Sequence, residues 1–164
     1  MGIRLNHIGF VVRNISEFVE LFRALGLRKM TEPEPDPIQR VVGCFMATED
    51  ESDAHIELLE PSEDDSPVSN FLKKRGGGLH HLCFEVDDIE KVVGDLGKRG
   101  FKVVVPPVDC VAYDRAFNRQ SQRVTKIAFF FLSEKFLIEL LEKGQSESSE
   151  LLDHELAGED LLGP

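Results

Sequence analysis

Two stretches of the chain share one pattern of apolar and polar positions. They are Leu5-Asn6-His7-Ile8-Gly9-Phe10-Val11-Val12 and Leu79-His80-His81-Leu82-Cys83-Phe84-Glu85-Val86. Each alternates with period two, which predicts a half-buried strand, and each carries a histidine in its third place. In the first, Leu5, His7, Gly9 and Val11 share one face, and Ile8, Phe10 and Val12 share the other. Helical spacing follows both. Asn14 or Ser16 can cap a helix bearing Ile15, Phe18, Val19, Phe22 and Leu25, and Gly26 can end it. Asp87 or Asp88 can cap one bearing Ile89, Val92, Val93 and Leu96, which Gly100 ends. Leu27–Met30 and Phe101–Val105 then read as strands.

The rest of the chain fits the same two halves. Arg40–Ala47 and Ala54–Glu60 read as strands around an acidic turn, with His55, Glu57 and Leu59 on one face. The proline-laced Glu32–Pro37 predicts a loop, and Pro106-Pro107 predicts a long loop through Gln122. Ser66-Pro67 opens a short helix, 66–75, that breaks at Gly76-Gly77-Gly78. Val124–Leu132 and Lys135–Leu141 are the last strands, joined at Ser133-Glu134. Residues 143–164 form an acidic tail in which Leu151, Leu152, Leu156, Leu161 and Leu162 could make only a weak helix.

The halves are copies. Adding 74 to a position takes His7 to His81, Phe10 to Phe84, Ile15 to Ile89 and Gly26 to Gly100. Adding 82 takes Ile56-Glu57-Leu58-Leu59-Glu60 to the identical Ile138-Glu139-Leu140-Leu141-Glu142. Each half reads β-α-β-β-β. The expected fold class is therefore α+β: modules 3–61 and 79–142 pair into one domain, 3–142, across the linker helix.

The repeat brings in the chemistry. A lone mid-strand histidine is ordinarily a hydrogen-bonded core residue, and a lone strand glutamate ordinarily sits at an exposed edge. Here the glutamates alternate with leucine and isoleucine, where an unpaired carboxylate is costly to bury. The same residue types recur at matching places in both copies. A pseudo-two-fold pairing would bring His7, Glu57, His81 and Glu139 to one cavity, where two imidazoles and two carboxylates suit a divalent ion such as Zn, Ni, Co, Mn or Fe. His80 should point away from His81 and play a structural or supporting part, and His55 is a weaker pocket residue.

Composition narrows the options. The chain has 164 residues, 41% hydrophobic, and no apolar run near the roughly 20 residues of a membrane span. A strand pattern begins next to Met1, so no secretory leader is expected. Three isolated cysteines, Cys44, Cys83 and Cys110, suggest a reducing, cytoplasmic setting. The formal charge of −11 argues against nucleic acid as a partner. Lys73-Lys74-Arg75 and the acid-free set Arg115, Arg119, Arg123 and Lys126 are either solvated surface or docking points for an anionic ligand.

These residues resemble the vicinal oxygen chelate superfamily, the glyoxalase, bleomycin-resistance and dioxygenase proteins. The resemblance rests on Leu5–Gly9, Ile56–Pro61, Asp65-Ser66-Pro67, Gly78–His81, Val86–Ile89 and Leu137–Leu140, and spans residues 5–142. Within that superfamily the pattern is most similar to the methylmalonyl-CoA epimerases. The resemblance implies a U-shaped mixed sheet around a metal held by His7, Glu57, His81 and Glu139, with positions left for two substrate oxygens. It implies an epimerase or isomerase that removes a proton α to a carbonyl of a small anionic substrate, an acyl-CoA or an oxo acid. It also implies a homodimer, with modules paired within one chain or swapped between two.

The chain departs from that pattern at one telling place. Where the epimerases carry a catalytic glutamate, Arg40-Val41-Val42-Gly43 puts a glycine. Glu139 or Glu57 would then have to serve as base. The loop at 112–122 carries Tyr113, Asp114, Arg115, Asn118 and Arg119 in place of a glycine-rich form, and the final hairpin is short. The alternatives are a glyoxalase I-like lyase or a non-catalytic binding or resistance protein. An extradiol oxygenase ranks last, because Glu57 stands where that chemistry expects a histidine.

Overall fold

The computed structural model describes residues 2–50 and 54–145, so the leucines of the acidic tail lie outside the described residues. The first half runs β1 (Arg4–Val11), α1 (Ile15–Ala24), β2 (Arg28–Lys29), β3 (Glu34–Asp36), β4 (Val41–Ala47) and β5 (His55–Pro61). Helix α2 (Pro67–Arg75) leads to the second half: β6 (Gly78–Glu85), α3 (Ile89–Lys98), β7 (Val103–Asp109), α4 (Val111–Ala116), β8 (Lys126–Ser133) and β9 (Phe136–Glu142). The strands form one mixed sheet, ordered β2-β4-β5-β1-β6-β9-β8-β7, with β3 on β4. The order is symmetric about the antiparallel β1–β6 seam. β1 pairs in parallel with β5, and β6 with β9.

Period two sorts the side chains onto the two faces of this sheet. Val12, Ile15, Val19, Met46 and Leu58 pack α1 onto one end of the outer face, and Val86, Ile89, Phe130, Ile138 and Leu140 pack α3 onto the other. Phe45, Cys83, Tyr113, Ile127, Phe129 and Leu141 line the inner face. The two helices are anchored identically. Asn14 accepts the Glu17 amide at 3.0 Å, and Asp88 accepts the Lys91 amide at 2.9 Å. Glu60 accepts the Ile15 amide at 2.7 Å, and Glu142 the Ile89 amide at 2.7 Å. The closing glutamate of each twin pentapeptide is thus a helix anchor. A carboxylate on an orphan N–H at the positive end of a helix stabilises both partners. Glu142→Ala is expected to cost about 1–2 kcal/mol, read as a lower urea midpoint at unchanged slope.

Three sequence expectations are corrected. Glu34–Asp36 is a strand rather than loop, with Glu34 opposite Gly43 and Pro35 opposite Val42. Pro106 and Pro107 lie inside β7, where the register with β8 shifts between Val105 and Val108. Both segments are sheet edges, and at an edge or a bulge a missing N–H costs no ladder bond. Val111–Ala116, expected as loop, is helix α4. Ser66 caps α2 as its sequence suggests, accepting the Ser69 amide, and Gly76 ends it at φ 77°.

Candidate metal centre and active site

The four central strands each supply one polar group to the inner face: His7 from β1, Glu57 from β5, His81 from β6 and Glu139 from β9. One atom of each lies within 4.8 Å of the others. A single chain closes this cage, so no swap is needed to complete it. His7 Nε2 stands 3.1 Å from His81 Nε2, 3.2 Å from Glu139 Oε2 and 3.3 Å from Glu57 Oε2. His81 Nε2 stands 2.9 Å from Glu139 Oε2 and 3.3 Å from Glu57 Oε2. Ligand atoms about 2.1 Å from an ion lie about 3.0 Å apart at right angles and about 3.4 Å apart in a tetrahedron. The spacings and the donor set therefore fit a divalent metal.

The cage is held from behind by two bulges. β1 and β6 slip register between Leu5 and His7, opposite Phe84 and Cys83, and again between Gly9 and Phe10, opposite His81 and Leu79. The extra residues are Asn6 and His80, which are equivalent under the shift of 74. Each bulge turns its extra residue onto the neighbouring cage histidine. Asn6 Oδ1 meets His7 Nδ1 at 2.8 Å, and His80 Nδ1 meets His81 Nδ1 at 3.0 Å. An Nδ1–H held this way leaves Nε2 unprotonated and aimed inward. Burial, and then the charge of His81, pulls His80 down to about 4, so it is neutral and able to accept. The expectation that His80 points away from His81 is corrected by the bulge, since His80 lines the cavity. Asn6 is in turn fixed through its Nδ2, which donates to Glu85 Oε2 at 3.0 Å.

Without an ion, the cage is a charge cluster. Burial opposes the imidazolium form of His7 and His81, but the surrounding groups, Glu57 and Glu139 among them, override it and raise both histidines. Burial likewise opposes the ionised form of Glu57 and Glu139, and the two histidines override it and lower both carboxylates. The histidine contribution to stability is present below the ordinary 6.5 and lost as pH rises through the raised values. The glutamate contribution is present above the ordinary 4.5 and lost as pH falls through the lowered values. Metal-free protein should thus be most stable between these limits. Metal uptake must expel the histidine protons, so affinity should climb about tenfold per pH unit for each proton displaced, then level off. Calorimetric titration with Zn²⁺ or Co²⁺ in buffers of different ionisation enthalpy measures both the slope and the released protons.

The cage forms the floor of a cavity of about 320 Å³ with walls that include Val41, Leu59, Val105, Phe129 and Leu137. Gly43 opens onto it. A Cβ built there would lie 3.6 Å from Glu57 Oε1 and 3.7 Å from Leu59 Cδ2, an ordinary contact distance. Packing therefore does not require glycine at 43. His55 is absent from the lining, stacked on Phe117 at 6.0 Å. Tyr113 lines the cavity, with its phenol pushed up to about 12 by burial. The cations of the 115–126 stretch do not converge on one point. Arg115 faces Glu34, Arg119 donates to the Gly144 carbonyl, and Lys126 pairs with Glu90.

The sequence gives His80 a supporting part but not its direction, and it points to neither Asn6 nor Gly9. A glycine two places after a ligand histidine was the one visible signal. A Cβ at Gly9 would stand 2.1 Å from the Cε1 atom of the His81 ring.

Fold and cage together define a class. Residues 6–118 match the model of the Glyoxalase/Bleomycin resistance protein/Dioxygenase superfamily, and the chain belongs to that superfamily. Among curated relatives, the mitochondrial methylmalonyl-CoA epimerase of Dictyostelium discoideum is 36% identical over 63% of this chain and 61% of its own length. The ethylmalonyl-CoA/methylmalonyl-CoA epimerase of Cereibacter sphaeroides is 31% identical over 62% of this chain and 74% of its own. Among solved structures, a Streptomyces coelicolor methylmalonyl-CoA epimerase variant in complex with 2-nitronate-propionyl-CoA superposes with a TM-score of 0.70 at 27% identity, covering 88% of this chain and 96% of that one. The chain spans about three fifths of the mitochondrial epimerases it matches. No helix among the described residues is long and apolar enough to cross a membrane.

Proposed function

We propose that this chain is a metal-dependent epimerase of a CoA thioester with an acidic α-carbon, of the methylmalonyl-CoA type. One observation carries the reading: a buried cage of two histidines and two glutamates, built symmetrically from two modules, floors an apolar cavity in a fold shared with epimerases. His7, Glu57, His81 and Glu139 would hold a divalent ion, which supplies Lewis-acid polarisation of a carbonyl when bound. The protein's own part is positional. Asn6 and His80 hold the imidazoles in one tautomer, and the apolar walls exclude water, which strengthens every electrostatic contact inside. A cage carboxylate, Glu139 or Glu57, takes the proton from the α-carbon. The reading includes a homodimer, testable by light scattering. It also includes a reducing compartment, cytoplasmic or mitochondrial, which suits three buried free cysteines.

The test is metal analysis followed by incubation of the loaded protein with methylmalonyl-CoA in D₂O. Deuterium entering the α-carbon supports the reading. A protein that carries metal yet exchanges no proton on this thioester or its ethyl analogue overturns it. Gly43 favours one second reading, a glyoxalase-type lyase, because that chemistry needs no residue there. Turnover of methylglyoxal with glutathione would identify it.

A further inference from the structure

Inverting a carbon by proton transfer calls for a carrier on each face, and Gly43 leaves one face without its expected carboxylate. We propose that Glu34 supplies it, as a catalytic residue that reaches into the cavity from the neighbouring strand. This rests on the epimerase reading above.

Several observations converge on Glu34. Its strand β3 pairs antiparallel with β4, and Glu34 stands directly opposite Gly43. Residues directly opposite across an antiparallel pair point to the same face, with Cβ atoms about 5 Å apart. An extended glutamate spans most of that gap, so its carboxylate can occupy the space a side chain at 43 would have filled. A Cβ fits at Gly43 without clash, and Gly43 opens onto the cavity. Glu34 is also among the residues lining the cavity.

The other cavity carboxylates already have parts. Glu57 and Glu139 form the cage. Asp36 accepts the Ile38 amide at 2.9 Å, the Gln39 amide at 3.0 Å and Gln39 Nε2 at 3.0 Å, which ties it to its own turn. Among the described residues, the ion-pair partner of Glu34 is Arg115 Nε, at 3.4 Å from Oε1, and the Arg115 side chain is 55% exposed. An ion pair so open to water is weak, which leaves Glu34 free to change rotamer. Glu34 and Glu139 also come from opposite modules, β3 and β9, and so reach the cavity from opposite halves of the sheet.

The chemistry balances with these two groups. The carboxylate of Glu139 takes the α-proton, the C–H electron pair becomes the enolate, and the carboxylic acid of Glu34 delivers its proton to the other face of that carbon. The two carboxyl groups end with protonation states exchanged and reset through solvent. The reverse reaction uses them in the opposite order.

The experiment compares metal-loaded Glu34→Gln with unaltered protein on each methylmalonyl-CoA stereoisomer in D₂O, following inversion and deuterium uptake separately. Loss of one of two carriers stops inversion but leaves the other carrier working on its own face. The expected result is inversion slower by about 10²–10⁴-fold, with one stereoisomer still exchanging its proton with retention. Metal content and KM should stay within about twofold. Adding Gly43→Glu to Glu34→Gln should restore inversion, since the new side chain fills the same space. Inversion by Glu34→Gln within threefold of the unaltered protein overturns the proposal while the epimerase reading stands. Equal loss of exchange from both stereoisomers together with loss of metal also overturns it, marking a structural role. Absence of exchange in the unaltered protein overturns both.

Discussion

Glu139→Ala should lose metal and turnover together. Glu139 is 5% exposed, and its Oε2 lies 2.9 Å from His81 Nε2 and 3.2 Å from His7 Nε2. A four-ligand protein site holds zinc with roughly 10–16 kcal/mol, or about 2.5–4 kcal/mol per ligand, so one ligand lost weakens affinity by about 10²–10³-fold. The substitution also removes a base from the cavity, and turnover should fall below detection even at saturating metal. Glu139→Gln separates the two effects. It keeps the side chain's volume and one weak oxygen ligand but cannot take a proton, so metal is retained better than turnover. Competition against a chromophoric chelator and the D₂O exchange assay are the two readouts. An alanine variant that kept both metal and turnover would remove Glu139 from the centre.

Gly9→Ala should disable the same centre without touching a ligand. Gly9 pairs with His81 across the β1–β6 seam, and its added Cβ would meet His81 Cε1 at 2.1 Å and both ring nitrogens at 2.5 Å. Real Cβ atoms do not approach that closely, so the ring must leave its place or the strands must part. Overpacking of this kind costs about 1–3 kcal/mol of stability. A displaced ligand should cost metal affinity about as much as a deleted one, roughly 10²-fold or more. The equivalent position in the other half is Cys83, which pairs with His7 and is fully buried. Burial, chiefly, pushes its thiol up to about 12, so it stays neutral. Cys83→Ala removes atoms without adding any, and should lower stability by about 1 kcal/mol while sparing metal. The contrast between the two alanines, read by melting and by metal titration, separates a blocked ring from a loosened core. A Gly9→Ala protein that bound metal normally would show that the seam yields, and that His81 needs no such clearance.

Much of the site was legible because strand periodicity assigns faces. His7 and Glu57 each sit on the face opposite to apolar neighbours that pack under a helix, and the same holds for His81 and Glu139. The duplication then turned four ordinary-looking residues into one set. The misreadings share a cause. Plain alternation puts His80 on the wrong face because a bulge breaks the pattern at that one residue. Pro35, Pro106 and Pro107 read as loop because nothing local says that a strand will lie at a sheet edge. The twin pentapeptides give Glu60 and Glu142 no part by spacing alone; they are helix anchors only because α1 and α3 cross back over the sheet.

The sequence by itself determined the repeat, the order of strands and helices in each half, the residue types of the cage and the face each occupies. All of these follow from local spacing, because a side chain's direction within a strand is set by the backbone two residues either way. Only the tertiary structure decided that the four cage residues meet within one chain, that Asn6 and His80 aim the imidazoles, that Gly9 must give His81 room, and that Glu34 stands across from Gly43. Each of these depends on which strands pair, in what register and with what slips. That outcome is set by the packing of residues far apart along the chain, as Gly9 and His81 are at the seam, and by an edge strand that its own prolines disguise.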